Sequence, residues 1–311
     1  MTSILTIRHI SKGYLSINNS VCLTIRMNKT VVELVVVGKD HEGVVAGFTN
    51  FIFQNNGNIE KINQNVVKGL FGMYLEASFV KKIDIAKFNK EAENLAKKLK
   101  MEVNIHYEVS KRKRVAVFVT KEPHCLEAIL DARKKGKIRG EIVVLIGTEN
   151  TLASLAKKVK IPFVMIDEKD QLESEERIIS TIKKFDVDLI VLARYMRILS
   201  PNFVWRYPNR IINIHPSLLP AFPGAFAYVQ AYERGAKIVG CTAHYVTEDL
   251  DQGPIIFQDA FAIDENETLE SLKKKGQKLE ATTLLEAVKM HLDGRLEVYW
   301  GKVHVKPKRS R

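Results

Sequence analysis

From residue 114 onward, short β-branched apolar runs alternate with amphipathic stretches, and nothing else restricts this chain as much. Residues 114–120, 141–147, 163–166 and 189–193 have the length and β-branched content of buried strands. Residues 125–134, 152–160 and 174–184, which separate them, carry apolar side chains at helical spacing. Strands alternating with helices require right-handed crossovers. The pattern therefore predicts a Rossmann-like, mostly parallel α/β sheet covered by helices on both faces. Ligands of such sheets sit at the carboxyl ends of the strands. The first strand-to-helix turn, Thr120-Lys121-Glu122-Pro123-His124-Cys125, contains no glycine. Neither GxGxxG nor GxxxxGK[ST] occurs elsewhere, which disfavours a dinucleotide-dependent dehydrogenase and a P-loop enzyme.

A different rhythm precedes it. Residues 31–37 read as a buried strand and 44–55 as a helix, with Val44, Val45, Phe48, Phe51 and Ile52 on one face and Gly57 as its C-cap. Residues 59–67 and 69–79 read as antiparallel strands, 82–100 as an amphipathic helix and 102–109 as a last strand. The order βαββαβ is that of a ferredoxin-like unit. The loop after the first strand, the Gly57-Asn58-Ile59 turn and Gly69-Leu70-Phe71-Gly72-Met73 resemble the ACT domain, a small regulatory and dimerising module. That resemblance implies a homo-oligomer built through this unit. The expected organisation is an extension over residues 1–29, the ACT-like unit over 30–109, a charged junction at 110–113, a second domain over 114–303 and a basic tail over 304–311.

The 311 residues suit two domains. The formal net charge is +12, and nine of those charges lie in residues 1–29 and 302–311, which hold no acid. The folded part is thus near neutral, unlike a domain that grips nucleic acid on its folded face. Residues 1–29 fit a transit segment, a strand-bearing arm or an extension ahead of a start at Met27. No apolar run is long enough to span a membrane. Cys22, Cys125 and Cys241 are far apart and form neither a disulfide framework nor a zinc pattern, so a reducing, cytoplasmic setting is expected, with no metal. Cys125 at a helix start could be a reactive thiolate, but a packed core cysteine is the simpler reading.

Chemistry concentrates in residues 210–259. Asn213 and His215 lie two apart in an apolar run that reads as a strand, so both point to one face. Asp251-Gln252-Gly253-Pro254 follows as an acidic loop. An amide can donate to an oxyanion, an imidazole exchanges protons near neutrality, and a carboxylate can activate water. Taken alone, Asn213 as a turn cap and His215 as a core histidine explain the pair more simply.

The run Asn213-Ile214-His215-Pro216-Ser217-Leu218-Leu219-Pro220, with Asp251-Gln252-Gly253-Pro254-Ile255 at this spacing, resembles the folate-dependent formyltransferase family. The resemblance implies a catalytic trio of Asn213, His215 and Asp251. It also implies a pterin pocket lined by Met196, Arg197 and Leu199, by His244, and by Val246, Thr247 and Glu248. The preceding ACT-like unit, the His124-Cys125-Leu126 turn and the 230–235 and 242–245 segments resemble the deformylase branch. That branch implies hydrolysis of 10-formyltetrahydrofolate to formate and tetrahydrofolate, with folate as substrate and no cofactor. The chain departs from the branch at Pro216, where a second histidine is usual, and at Phe226, Ala227 and Val229, which replace polar or proline residues. A transferase acting on an amine acceptor, and a folate- or amino-acid-sensing module, are the alternatives.

Overall fold

The structure is a computed structural model that describes residues 29–107, 112–166, 170–222, 224 and 226–307. The expected extension as far as residue 28, residues 110 and 111 of the junction and residues 308–311 of the tail lie outside them. The chain forms β1 (Thr30–Lys39), α1 (Val44–Gln54), β2 (Asn58–Val67), β3 (Leu70–Phe79), α2 (Ile85–Lys98) and β4 (Met101–Tyr107). These four strands make one antiparallel sheet in the order β2-β3-β1-β4.

Central β1 is apolar and buried from Leu34 to Val37 because both of its faces are covered. Val32, Leu34 and Val36 pack under α1 and α2 with Phe48, Phe79 and Phe88. Val35 and Val37 are buried on the opposite face, which meets the C-terminal half. There a Cβ on Gly72 would lie 2.5 Å from the Trp205 ring, so only glycine lets the sheet approach so closely. Arg206 donates twice to Glu102, at 2.7 and 3.0 Å, and Arg210 donates to Glu33. The hydrogen bonds from Arg206 hold the Glu102 carboxyl below its ordinary range, against a smaller opposing effect of burial.

The second sheet is built from β5 (Lys113–Val119), β6 (Gly140–Gly147), β7 (Phe163–Met165), β8 (Leu189–Leu192), β9 (Ile211–His215), β10 (Ile238–Tyr245) and β11 (Ile255–Ala262). Its order is β11-β10-β9-β8-β5-β6-β7, parallel from β9 to β7 and antiparallel at β10 and β11. The helices are α3 (His124–Lys134), α4 (Ala153–Lys158), α5 (Gln171–Lys184), α6 (Pro201–Val204), α7 (Ala227–Glu233) and α8 (Leu269–Leu292). One face of the sheet packs on α3, α4 and α8, the other on α5 and α6. A hairpin of β12 (Leu296–Tyr299) and β13 (Lys302–Val305) follows, so pairing continues to Val305, beyond the expected start of the tail. No helix among the described residues is long and apolar enough to cross a membrane.

Three expectations need correction. Gly57 is not the left-handed cap of α1: Asn56 takes that conformation, at φ 59°. Gly57 is needed for space, since a Cβ there would lie 2.6 Å from the Phe79 ring. The helix expected over 152–160 is a 3₁₀ turn, Asn150–Leu152, followed by the short α4. Helix α5 starts at Gln171, earlier than expected, because Asp170 caps it by accepting from the Glu173 N–H at 2.8 Å.

One buried group makes stability depend on pH. His291, near the end of α8, accepts from Lys113 Nζ at 3.0 Å and donates Nδ1–H to the Tyr245 hydroxyl at 2.7 Å. Burial, with the charge of Lys113 behind it, pushes this imidazole well below its ordinary pKa. In the unfolded chain the same ring takes up a proton near pH ~6.5. Its contribution is therefore complete above that value and is lost as pH falls toward the depressed folded value. Tm measured from pH 7 to pH 5 is expected to fall, with a shallower slope in His291→Gln.

Candidate active site

Strand β9 carries the first two groups. Ile212 and Ile214 enter the core against α3 and α8, while Ile211 enters the other core. By alternation Asn213 and His215 point to the Ile211 side. The neighbouring strand adds a third group: His244 on β10 lies directly opposite Asn213, where the β10–β11 register shifts between Ala243 and His244. Asp251 arrives from the loop between β10 and β11.

These side chains meet. The His215 ring is 5% exposed. Its Nε2–H donates to the Phe222 carbonyl at 3.0 Å, and its Nδ1 lies 3.3 Å from Asp251 Oδ2. The same carboxylate oxygen accepts from the Gly224 N–H at 3.0 Å. Burial would raise the Asp251 pKa, but the hydrogen bonds from His215 and Gly224 and the nearby histidines outweigh it, and the carboxyl sits below its ordinary range. Asp251 is thus an ionised, nearly enclosed base, its side chain 6% exposed.

His244 stands behind the pair and is 2% exposed. Burial lowers its pKa, so it stays neutral. Nδ1–H donates to the Tyr245 carbonyl at 2.9 Å, which leaves Nε2 to accept from Asn213 Nδ2 at 3.3 Å. That contact orients the Asn213 amide and leaves its second N–H free for a ligand. His244 Nε2 also lies 3.9 Å from Asp251 Oδ1.

The other expected pocket residues divide into two groups. Met196 and Arg197 are exposed on the loop after β8, and the Met196 N–H is fixed by Thr120 Oγ1 at 3.1 Å. Leu199 is packed into the core beside Phe203, and Val246 packs partly against the same cluster. Thr247 Oγ1 donates to the Asp249 carbonyl at 3.2 Å. Glu248 accepts from Asn65 Nδ2 of the first sheet at 2.9 Å, so strand β2 touches the segment that leads to Asp251.

Sequence reasoning missed a buried polar network at the first strand-to-helix turn. Glu280 of α8 is 1% exposed and accepts from the Tyr228 hydroxyl at 2.9 Å. Its other oxygen faces His124 Nε2 at 3.2 Å and Arg194 Nε at 3.4 Å, the latter an ion-pair distance without hydrogen-bond alignment. His124, Cys125 and Glu280 place potential ligand atoms within 4.8 Å of one another. Both Glu280 oxygens are already engaged by donors, and a guanidinium stands beside them, so the group behaves as an ion network rather than a metal cage. Cys125 is fully buried, and burial pushes its thiol pKa up, with Glu280 adding to the effect. It is the packed core cysteine that the simpler reading expected. A signal for Glu280 existed: a lone carboxylate in phase with Leu272, Gly276 and Leu284 on the buried stripe of α8.

Residues 113–288 match the family described as formyl transferase. The formyltetrahydrofolate deformylase of Bacillus subtilis is 40% identical over 283 residues, 88% of this chain and 93% of its own length. The crystal structure of a formyltetrahydrofolate deformylase from Pseudomonas syringae pv. tomato is 31% identical, with a TM-score of 0.62, over 93% of this chain and 98% of that one. Glycinamide ribonucleotide transformylase 1 from Symbiobacterium toebii reaches the same TM-score of 0.62 at 33% identity, but it covers only 66% of this chain. The likeness to the deformylases extends through both sheets and does not stop at the one that carries Asn213, and on that ground the chain belongs to the formyltetrahydrofolate deformylase family.

Proposed function

We propose that the protein hydrolyses 10-formyltetrahydrofolate to formate and tetrahydrofolate at Asn213, His215 and Asp251. The observation that carries this reading is the convergence of an ionised, enclosed Asp251 on His215, 3.3 Å apart. Water attacks the formyl carbon while Asp251 takes one of its protons. The free Asn213 N–H donates to the oxyanion, a contact whose loss typically costs about 10²–10³ in rate. In the free protein both His215 nitrogens face oxygen atoms, the Phe222 carbonyl at 3.0 Å and Asp251 Oδ2 at 3.3 Å. As the substrate binds, the longer Nδ1 contact is exchanged, and the ring supplies a proton to N10 as the C–N10 bond breaks. Formic acid returns a proton to the ring and leaves as formate; Asp251 releases its own to solvent.

The pterin lies along Met196, Arg197 and Leu199 and the 246–248 segment, with His244 holding Asn213 from behind. The first sheet acts as an ACT-like, ferredoxin-type module over residues 30–109 that builds a homo-oligomer. One of its faces is taken by the chain's own C-terminal half, which leaves its helices and edge strands for the second copy. The catalytic unit spans 114–303, and the protein works in the cytoplasm with no cofactor, nucleic acid or membrane partner.

Purified full-length protein given 10-formyltetrahydrofolate and no amine is expected to release formate and tetrahydrofolate in equal amounts. Formate that appeared only after an amine acceptor was added would replace this reading with a transferase.

A further inference from the structure

We propose that Phe226 is a substrate-contacting residue whose ring stacks on the aminobenzoyl ring of the folate at the mouth of the site. The proposal rests on the deformylase reading and adds a specificity residue to it.

Three observations lead there. Phe226 has φ 61° and ψ 32°, the left-handed conformation, just ahead of α7. A bulky side chain is disfavoured in that region, where glycine is at ease. Its side chain is also 79% exposed, so burial returns nothing for the strain. A residue both strained and exposed contributes little to the free fold, and such positions gather at ligand sites.

The second observation is location. Phe222 bonds His215 through its carbonyl, and Gly224 bonds Asp251 through its N–H. Phe226 follows two residues later, so its Cα lies within about 7.6 Å of that of Gly224. The Phe222 ring, by contrast, is already covered by the Arg234 guanidinium at 5.4 Å.

The third is company. Leu250, next to Asp251, and Met196 and Ile198, beyond β8, are also exposed. Four exposed apolar side chains thus lie on three loops, one carrying Asp251, one the Gly224 N–H that bonds it and one following β8, and apolar side chains with a few polar groups are the usual composition of a small-molecule site. In a 10-formylfolate the aminobenzoyl ring is bonded directly to the nitrogen that carries the formyl group. A substrate with its formyl carbon between Asn213 and Asp251 must therefore set that flat ring against the same loops.

The test uses the full-length chain and two ligands. One is 5-formyltetrahydrofolate, which has the aminobenzoyl arm; the other is tetrahydrobiopterin, which lacks it. Phe226→Ala is expected to raise the Kd for the folate and the KM for 10-formyltetrahydrofolate about tenfold. The loss falls on KM rather than kcat, and pterin binding stays as in the wild type. Phe226→Tyr restores folate binding. Phe226→Gly binds folate as weakly as Phe226→Ala yet melts at a higher temperature, because glycine relieves the left-handed strain, which separates lost stacking from a damaged fold. Wild-type folate affinity in Phe226→Ala, or an equal loss for both ligands, would overturn the proposal. Wild-type protein that binds folate but releases no formate would sink the deformylase reading, and the two Kd values would still judge the stacking.

Discussion

Asp251→Asn is expected to lower kcat by about 10²–10⁴ while folate binding stays close to that of the wild type. Asparagine matches aspartate in shape, and its oxygen can still accept from the Gly224 N–H that now holds the carboxylate at 3.0 Å. It cannot take a proton from water, and it removes the charge 3.3 Å from His215. The wild-type carboxyl lies below the ordinary aspartate range, so Asp251 remains a competent base through mild acid. An acid limb in kcat/KM that belongs to this group falls below that range. Single-turnover formate release and an independent folate titration measure the two halves of this expectation. Unchanged turnover in Asp251→Asn would remove Asp251 from the reaction.

Gly253→Ala is the second large effect, and it acts through space. A Cβ on Gly253 would lie 1.7 Å from the Tyr245 carbonyl oxygen and 2.9 Å from its carbon. Both are backbone atoms of β10, where that oxygen also accepts from His244 Nδ1 at 2.9 Å and the Tyr245 N–H donates to the Pro254 carbonyl at 2.9 Å. Neither side of the contact can yield by rotating a side chain, so the loop must move and carry Asp251 with it. Overpacking of this kind typically costs about 1–3 kcal/mol. A displacement near 1 Å at a reacting group costs about 10²-fold in rate. A lower Tm together with a fall in kcat/KM is the expected pair of results. A variant with wild-type Tm and rate would show that the loop does not press on β10 as described.

These two residues differ in how visible they are in the sequence. Asp251 is one of three acids in residues 247–252 and is singled out by the run Asp251-Gln252-Gly253-Pro254-Ile255, which resembles the formyltransferase family. Gly253 reads as an ordinary turn glycine, and its actual reason, the approach of its loop to Tyr245, involves a strand eight residues earlier. Gly57 misled in the same way: position suggested a cap, whereas the Phe79 ring sets the requirement. Gly72 gives no sign in the sequence that the Trp205 ring will lie against it.

The sheet was largely legible because period-two and helical patterns are local. Apolar runs marked β1, β5, β6, β8 and β9 whether or not their partners were known. The antiparallel β10 and β11 and the long α8 were less visible. Their spacing is broken by polar groups that serve the site or the Glu280 network, such as His244 on β10 and Glu280 on α8.

The amino-acid order alone thus indicated the alternation of strand and helix and the shared face of Asn213 and His215, since each depends on neighbours a few residues away, whereas the catalytic reading of Asn213, His215 and Asp251 came from the resemblance to the formyltransferase family. Folding in three dimensions settled which groups touch. The neutral His244 that orients Asn213, the Phe222 and Gly224 backbone that fixes His215 and Asp251, and the contact of Asn65 with Glu248 join residues from 7 to 183 positions apart in the chain. Such contacts leave no local period, because hydrogen bonds and close packing depend on distance in space and not on spacing in sequence.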